Sequence, residues 1–141
     1  MAGQTHPEVT VGALIFNPEN KLFLMRSHKW KNNFVVPGGH IELGETIEQA
    51  LRREVKEETG MDIYEIAFIH VQESIFSDMF WKQKHFIFLD FACKTDSTEV
   101  KLNDEASEYV WVFPGEALKL PIDPCTRFFI EKCMEMKTCQ S

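Results

Sequence analysis

Gly39-His40-Ile41-Glu42-Leu43-Gly44-Glu45-Thr46-Ile47-Glu48-Gln49-Ala50-Leu51-Arg52-Arg53-Glu54-Val55-Lys56-Glu57-Glu58-Thr59-Gly60-Met61 is the stretch on which the reading of this chain turns. Thr46 and Gln49 have the spacing of a capping box, residues 47–59 contain no Pro or Gly, and Gly60 stands where a left-handed C-terminal cap belongs. A helix of about 20 Å is predicted there. At about 100° per residue with Ile47 at zero, Leu51 falls at about 40°, Ala50 at about 300° and Val55 at about 80°, an inward apolar stripe. Glu54 then lies at about 340°, Glu58 at about 20° and Glu57 at about 280°, so two carboxylates fall within the stripe and a third at its edge. Ionised carboxylates withdrawn from water cost several kcal/mol each unless paired, and converging ones raise one another's pKa. A hard divalent cation resolves both problems: oxygen ligands at i, i+3 and i+4 suit Mg²⁺ or Mn²⁺, and the lack of His or Cys beside them argues against zinc. For any one of these glutamates, a solvated acidic helix end is the competing reading.

The same residues carry a resemblance. The sequence resembles the Nudix hydrolase family, whose signature G-x5-E-x7-R-E-U-x-E-E-x-G-U (U a bulky aliphatic residue) is met by Gly39, Glu45, Arg53, Glu54, Val55, Glu57, Glu58, Gly60 and, permissively, Met61. Seven fixed positions, each with a frequency of about 5–7 %, give a chance match in about one chain in ten million. The resemblance implies an α/β fold, an α/β/α sandwich with a mixed sheet flanked by helices. It also implies Mg²⁺-dependent hydrolysis, with Mn²⁺ as a substitute, of a nucleoside diphosphate linked to another group. Carried over, it makes Glu54, Glu57 and Glu58 metal ligands and catalytic groups, with Gly38 adding its carbonyl oxygen. Glu45 and Arg53 become an ion pair that clamps loop to helix. The family's general base is not always in this motif, so Glu54 and Glu105 both stand as candidates, and Glu108 competes with Glu105.

Working outward, Val9–Phe16 and Lys21–Met25 flank the turn signal Asn17-Pro18-Glu19-Asn20 and read as a hairpin. Residues 26–33 read as a polar loop, and residues 34–36 as a short strand that Pro37-Gly38-Gly39 should end. Residues 63–75, 85–93 and 109–113 read as further strands. Residues 124–136 read as a second helix with Cys125, Phe128, Phe129, Cys133 and Met136 on its core face. No linker or repeat divides the chain, so residues 1–141 are expected to form one domain.

With 15 Lys and Arg against 22 Asp and Glu, the formal net charge is −7. That balance argues against a nucleic-acid-coating protein but leaves room for a polyphosphate bound through divalent cations, and the resemblance implies a nucleotide-like small-molecule partner. Cys93, Cys125, Cys133 and Cys139 lack metal-binding spacing and read as reduced thiols of a cytoplasmic protein. No export signal or membrane span is expected, and a homodimer is allowed but not required. Residues 20–41 hold Lys21, Arg26, Lys29 and Lys31 with no acid, which would place a phosphate-attracting loop beside the metal site, plain solvation of these charges being the competing reading. Arg26 and Lys29 are the expected phosphate contacts, and Trp30, Phe34, Phe80 or Trp81 could stack on a base, with core or rim packing the competing role for each of these aromatics. The substrate expected is a nucleoside triphosphate, cleaved to monophosphate and pyrophosphate. ADP-ribose, NDP-sugars and dinucleoside polyphosphates are alternatives, as is a binding or regulatory module that keeps the fold with little chemistry. A full set of motif carboxylates speaks against such a module, and the acidic charge against an RNA-processing hydrolase.

Overall fold

A computed structural model describes residues 3–136. Seven strands form one mixed sheet: β1 (Glu8–Phe16), β2 (Leu22–Ser27), β3 (Asn33–Val35), β4 (Gly38–His40), β5 (Tyr64–Ile75), β6 (His85–Lys94) and β7 (Glu108–Val112). The strand order is β3-β2-β1-β6-β5, with β4 paired to β1 and β7 to β2. β1 and β6 run parallel from Glu8↔Phe86 to Phe16↔Lys94, and the remaining pairs are antiparallel. Three helices join them: α1 (Ile47–Thr59), α2 (Pro114–Ala117) and α3 (Pro124–Glu135).

Strand periodicity sorts the core into two layers. Val11, Ala13 and Ile15 of β1 pack with Ala50, Leu51 and Val55 of α1. Leu14 and Phe16 point the other way and pack with Phe129, Ile130 and Cys133 of α3. Each large apolar side chain buried in this way contributes about 1.5–3 kcal/mol. The result is the α/β/α sandwich. Among the described residues, no helix is long and apolar enough to cross a membrane.

Helix α1 has the caps its sequence specifies. The Thr46 hydroxyl accepts from the Gln49 N–H at 3.1 Å, and Gln49 Oε1 accepts from the Thr46 N–H at 2.9 Å. Gly60 closes the helix at φ +76°, its N–H reaching the Lys56 carbonyl at 2.9 Å. Ile47, however, is 43 % exposed, and the buried face is Ala50, Leu51, Val55, Glu58 and Thr59.

Other expectations need correction. After Pro37 the chain does not leave the sheet: Gly38–His40 pairs with Thr10–Gly12 of β1. It passes so close that a Cβ on Gly38 would stand 2.0 Å from the Val11 carbonyl oxygen. Residues 26–27 extend β2, and His28–Trp30 is a 3-10 turn. The short helix α2 was not anticipated. On α3, Phe128 is 51 % and Met136 44 % exposed, whereas Thr126, Phe129, Ile130 and Cys133 are buried. Cys93 and Cys125 are free thiols as expected, but Cys133 is disulfide-bonded, and Cys139 lies outside the described residues.

Candidate active site

A cleft of about 250 Å³ runs from the β4–α1 junction across the sheet to the start of α3. At its mouth the close approach of β4 to α1 requires a residue without a side chain, because a Cβ on Gly39 would stand 2.4 Å from the Glu54 carboxyl. The Gly38 N–H donates to Glu58 Oε1 at 3.0 Å. Glu58 is 4 % exposed. Burial, and then a hydrogen bond and charge from Glu54, push its pKa well above the carboxylate range, against the pull of the Gly38 N–H.

Arg53 organises the acids around this pair. Its Nε and Nη2 donate to the two oxygens of Glu45 at 2.6 and 2.9 Å, and Nη2 also reaches the His40 carbonyl at 2.9 Å. Nη1 donates to Glu54 Oε2 at 3.0 Å and Glu57 Oε1 at 3.2 Å. One guanidinium therefore ties the 40–46 loop to α1 and holds Glu54 beside Glu58. Glu57, with 55 % of its side chain exposed, turns toward Arg53 and not into the cleft. The structure thus brings Glu54 and Glu58 together and leaves Glu57 outside. Among the described residues, no three carboxylate, imidazole or thiol groups stand together as a ready-made metal cluster.

The Arg53 hydrogen bond, helped by the Glu42 N–H, holds the Glu45 pKa down to about 2 from an ordinary 4.5. A depressed carboxylate stabilises the fold fully above its unfolded value and loses that contribution as pH falls through its folded value. The stability gap between wild type and Glu45→Gln, read by urea unfolding, is therefore expected to stay constant from pH 7 to about 5, then narrow and close near 2. A gap already gone at about pH 5 would contradict the ion pair.

The remaining expected site residues divide. Lys29 and Glu105 both line the cleft and face each other, Lys29 Nζ lying 3.0 and 2.9 Å from the two Glu105 oxygens. Trp30 lines it too, within an aromatic wall in which its ring centroid lies 4.6 Å from that of Phe80. Arg26 and Phe34 do not. Phe34 is 3 % exposed in the α3-side core, because its strand position turns the ring inward. Arg26 lies 4.5 Å over that ring and 3.7 Å from Glu108, which draws it away from the cleft. Trp81 is 53 % exposed and lies outside the cleft.

The cleft is also lined by residues that sequence reasoning missed: Thr10, Gln72, Asp90 and Asp123. Asp90 and Asp123 are both buried, and burial raises both pKa values. Asp90 had a legible signal, a lone acid within the apolar run Phe86-Ile87-Phe88-Leu89-Asp90-Phe91. Asp123 had the Asp-Pro signature of a helix start, and its side chain accepts from the Cys125 and Thr126 N–H groups.

The NUDIX domain family model matches residues 6–133, so the chain belongs to the Nudix family. It is a hydrolase of pyrophosphate bonds, and enzymes of this family generally use divalent metal ions. Nucleoside triphosphatase NudI of Escherichia coli K12 is 31 % identical over 100 residues, covering 67 % of this chain and 71 % of the relative. A MutT protein from Methanosarcina mazei Go1 superimposes with a TM-score of 0.77 at 25 % identity, over 96 % of this chain and 99 % of that one. The NUDIX domain of Shewanella oneidensis NrtR, complexed with ADP ribose, gives 0.79 at 17 % identity over 95 % and 90 %.

Proposed function

We propose that this chain, acting as one Nudix domain, hydrolyses a nucleoside triphosphate to a monophosphate and pyrophosphate. Mg²⁺ would be held by Glu54, Glu57, Glu58 and the Gly38 carbonyl. The observation that carries this reading is the buried Glu58 carboxyl hydrogen-bonded to Glu54 at the polar mouth of an aromatic-walled cleft. Two carboxyls so placed cannot both ionise alone, and a hard divalent cation is the partner that lets them do so. The donor set is all oxygen, which fits Mg²⁺. Glu57 completes it by exchanging its contact with Arg53 for the cleft, a rotation open to an exposed side chain.

When bound, the cation neutralises phosphate oxygens and lowers the pKa of an attacking water. The protein's own groups do the rest. Glu54, oriented by Arg53, accepts the water's proton. Glu105 is the alternative base, and to serve it must release Lys29, whose ammonium would then be free for a phosphate oxygen. Trp30 and Phe80 offer a face for the base. The choice of a triphosphate leans on the NudI relative, itself a nucleoside triphosphatase. A panel of nucleoside triphosphates, NDP-sugars, ADP-ribose and dinucleoside polyphosphates, assayed with Mg²⁺ and with chelator, tests it. Metal-dependent release of pyrophosphate from a triphosphate is expected; release of orthophosphate, or turnover of only the linked dinucleotides and sugars, would overturn the triphosphate assignment.

A further inference from the structure

Sheet register leaves an apolar surface of the molecule without a cover. On the α1 side of the sheet, Val11 of β1 stands beside Leu89 of β6, and Leu89 beside Val71 of β5; in the next row Ala13 stands beside Phe91, and Phe91 beside Phe68. Helix α1 lies over β1 and β4 and buries the first member of each row. Toward β5 the cover ends. Leu89 and Phe91 are only partly buried, and Phe68, Val71 and Ile75 are 52, 53 and 56 % exposed. Val9, on the same face of β1, is exposed as well. The Phe68 and Phe91 rings meet edge to face with centroids 5.4 Å apart, so the strip is a packed surface and not a set of loose side chains. Half-exposed side chains of this size leave about 70–100 Å² each outside, which gives the strip and its flanks about 500 Å², the size at which a contiguous apolar patch marks an interaction site. Because side chains alternate along a strand, Gln72, Phe88 and Asp90 of these same strands face the cleft on the other side. Whatever covers the strip therefore leaves the cleft open.

We propose that two copies of this chain pack these β5–β6 faces on each other, as a reversible dimer whose clefts point away from the contact. The strip is apolar along its middle and charged at its ends, and the charges are of opposite sign. At one end stands Glu73, exposed, on the same face opposite Ile87, its carboxylate without an ion pair among the described residues. At the other end stands Arg52 of α1, whose Nη1 donates to the Ile63 carbonyl at 2.6 Å just before β5 begins and whose side chain is 47 % exposed. A two-fold axis along the strands would set Glu73 against Glu73. A two-fold axis across them runs the β5 strands antiparallel and carries each Glu73 toward Arg52 of the other copy, so charge complementarity selects the second arrangement. Sheets packed face to face in this way lie about 10 Å apart with their side chains interdigitated. Residues 137–141 are no substitute for a second copy: they follow α3, which packs on the opposite face, and Lys137-Thr138-Cys139-Gln140-Ser141 brings no large apolar side chain. Two such faces bury about 1,000 Å² in all, the lower bound for a specific interface, so dissociation is expected in the micromolar range.

Sedimentation equilibrium of the full chain between about 1 and 200 µM tests the proposal. Wild type is expected to pass from monomer to dimer across that range. Val71→Lys sets an ammonium in the middle of the strip at an exposed position, and should leave only monomer at the highest concentration with the Tm of the dilute protein unchanged. Phe68→Ser should do the same, which keeps the test decisive if one variant folds poorly. Glu73→Arg, which would oppose Arg52 of the other copy, should weaken association by about tenfold at low salt. Wild-type protein that stays monomeric throughout, whether the face is then bare or serves a different protein, overturns the proposal. A dimer that persists in both Val71→Lys and Phe68→Ser overturns it too, since the contact would lie on another surface, and a dimer indifferent to Glu73→Arg overturns the antiparallel arrangement.

Discussion

Glu58→Gln is expected to lower Mg²⁺-dependent pyrophosphate release by about a thousandfold or more, with the fold intact. The amide keeps the shape of the carboxyl and an oxygen able to accept from the Gly38 N–H, now 3.0 Å from Glu58 Oε1. What it removes is the negative charge at the centre of the proposed cation site. Stability should not suffer. A carboxyl whose folded pKa is raised makes folding less favourable as pH climbs above its unfolded value, so the wild type bears a cost at neutral pH that the amide lacks. The metal-free variant should therefore melt at or above the wild-type Tm at pH 7.5. Turnover within threefold of wild type would remove Glu58 from the site.

Arg53→Ala should combine a loss of stability with a loss of activity. The guanidinium serves Glu45, Glu54, Glu57 and the His40 carbonyl, and its side chain is 23 % exposed. For such a partly exposed network the fully buried figure must be discounted, which leaves a cost of about 2 kcal/mol and a fall in Tm of about 6 °C. Activity should drop by about a hundredfold, because Glu54 loses the contact that orients it beside Glu58. Arg53→Lys should rescue little of either, since an ammonium cannot serve Glu45 bidentately and reach Glu54 from the other side of the same plane. A lysine variant with wild-type turnover would show that charge alone suffices.

The parts of this molecule legible in its sequence are those governed by local rules. Thr46, Gln49 and Gly60 delimit α1 because capping depends on near neighbours, and Glu58 was readable as buried because helical periodicity placed it beside Leu51. The rest depended on partners distant in sequence. Gly38 and Gly39 look like chain breakers, yet they form β4 because β1 and α1 leave room there only for a bare backbone. Glu57 falls on the edge of the acidic stripe by angle, but its partner is decided by Arg53. Arg26 reads as part of a basic loop by composition and Phe34 as the start of the short strand after it; pairing of β2 with β3 turned the phenyl ring inward and laid the guanidinium over it. Thr10, Gln72 and Asp90 come from three strands and meet only through the β1–β6–β5 order.

The acids of α1 are proposed here as a cation site. Mn²⁺ binding to the substrate-free protein, followed by electron paramagnetic resonance, measures it directly. Wild type should bind Mn²⁺, with Glu54→Gln and Glu58→Gln each weakening it by about tenfold or more. Wild-type affinity in both variants would contradict the account.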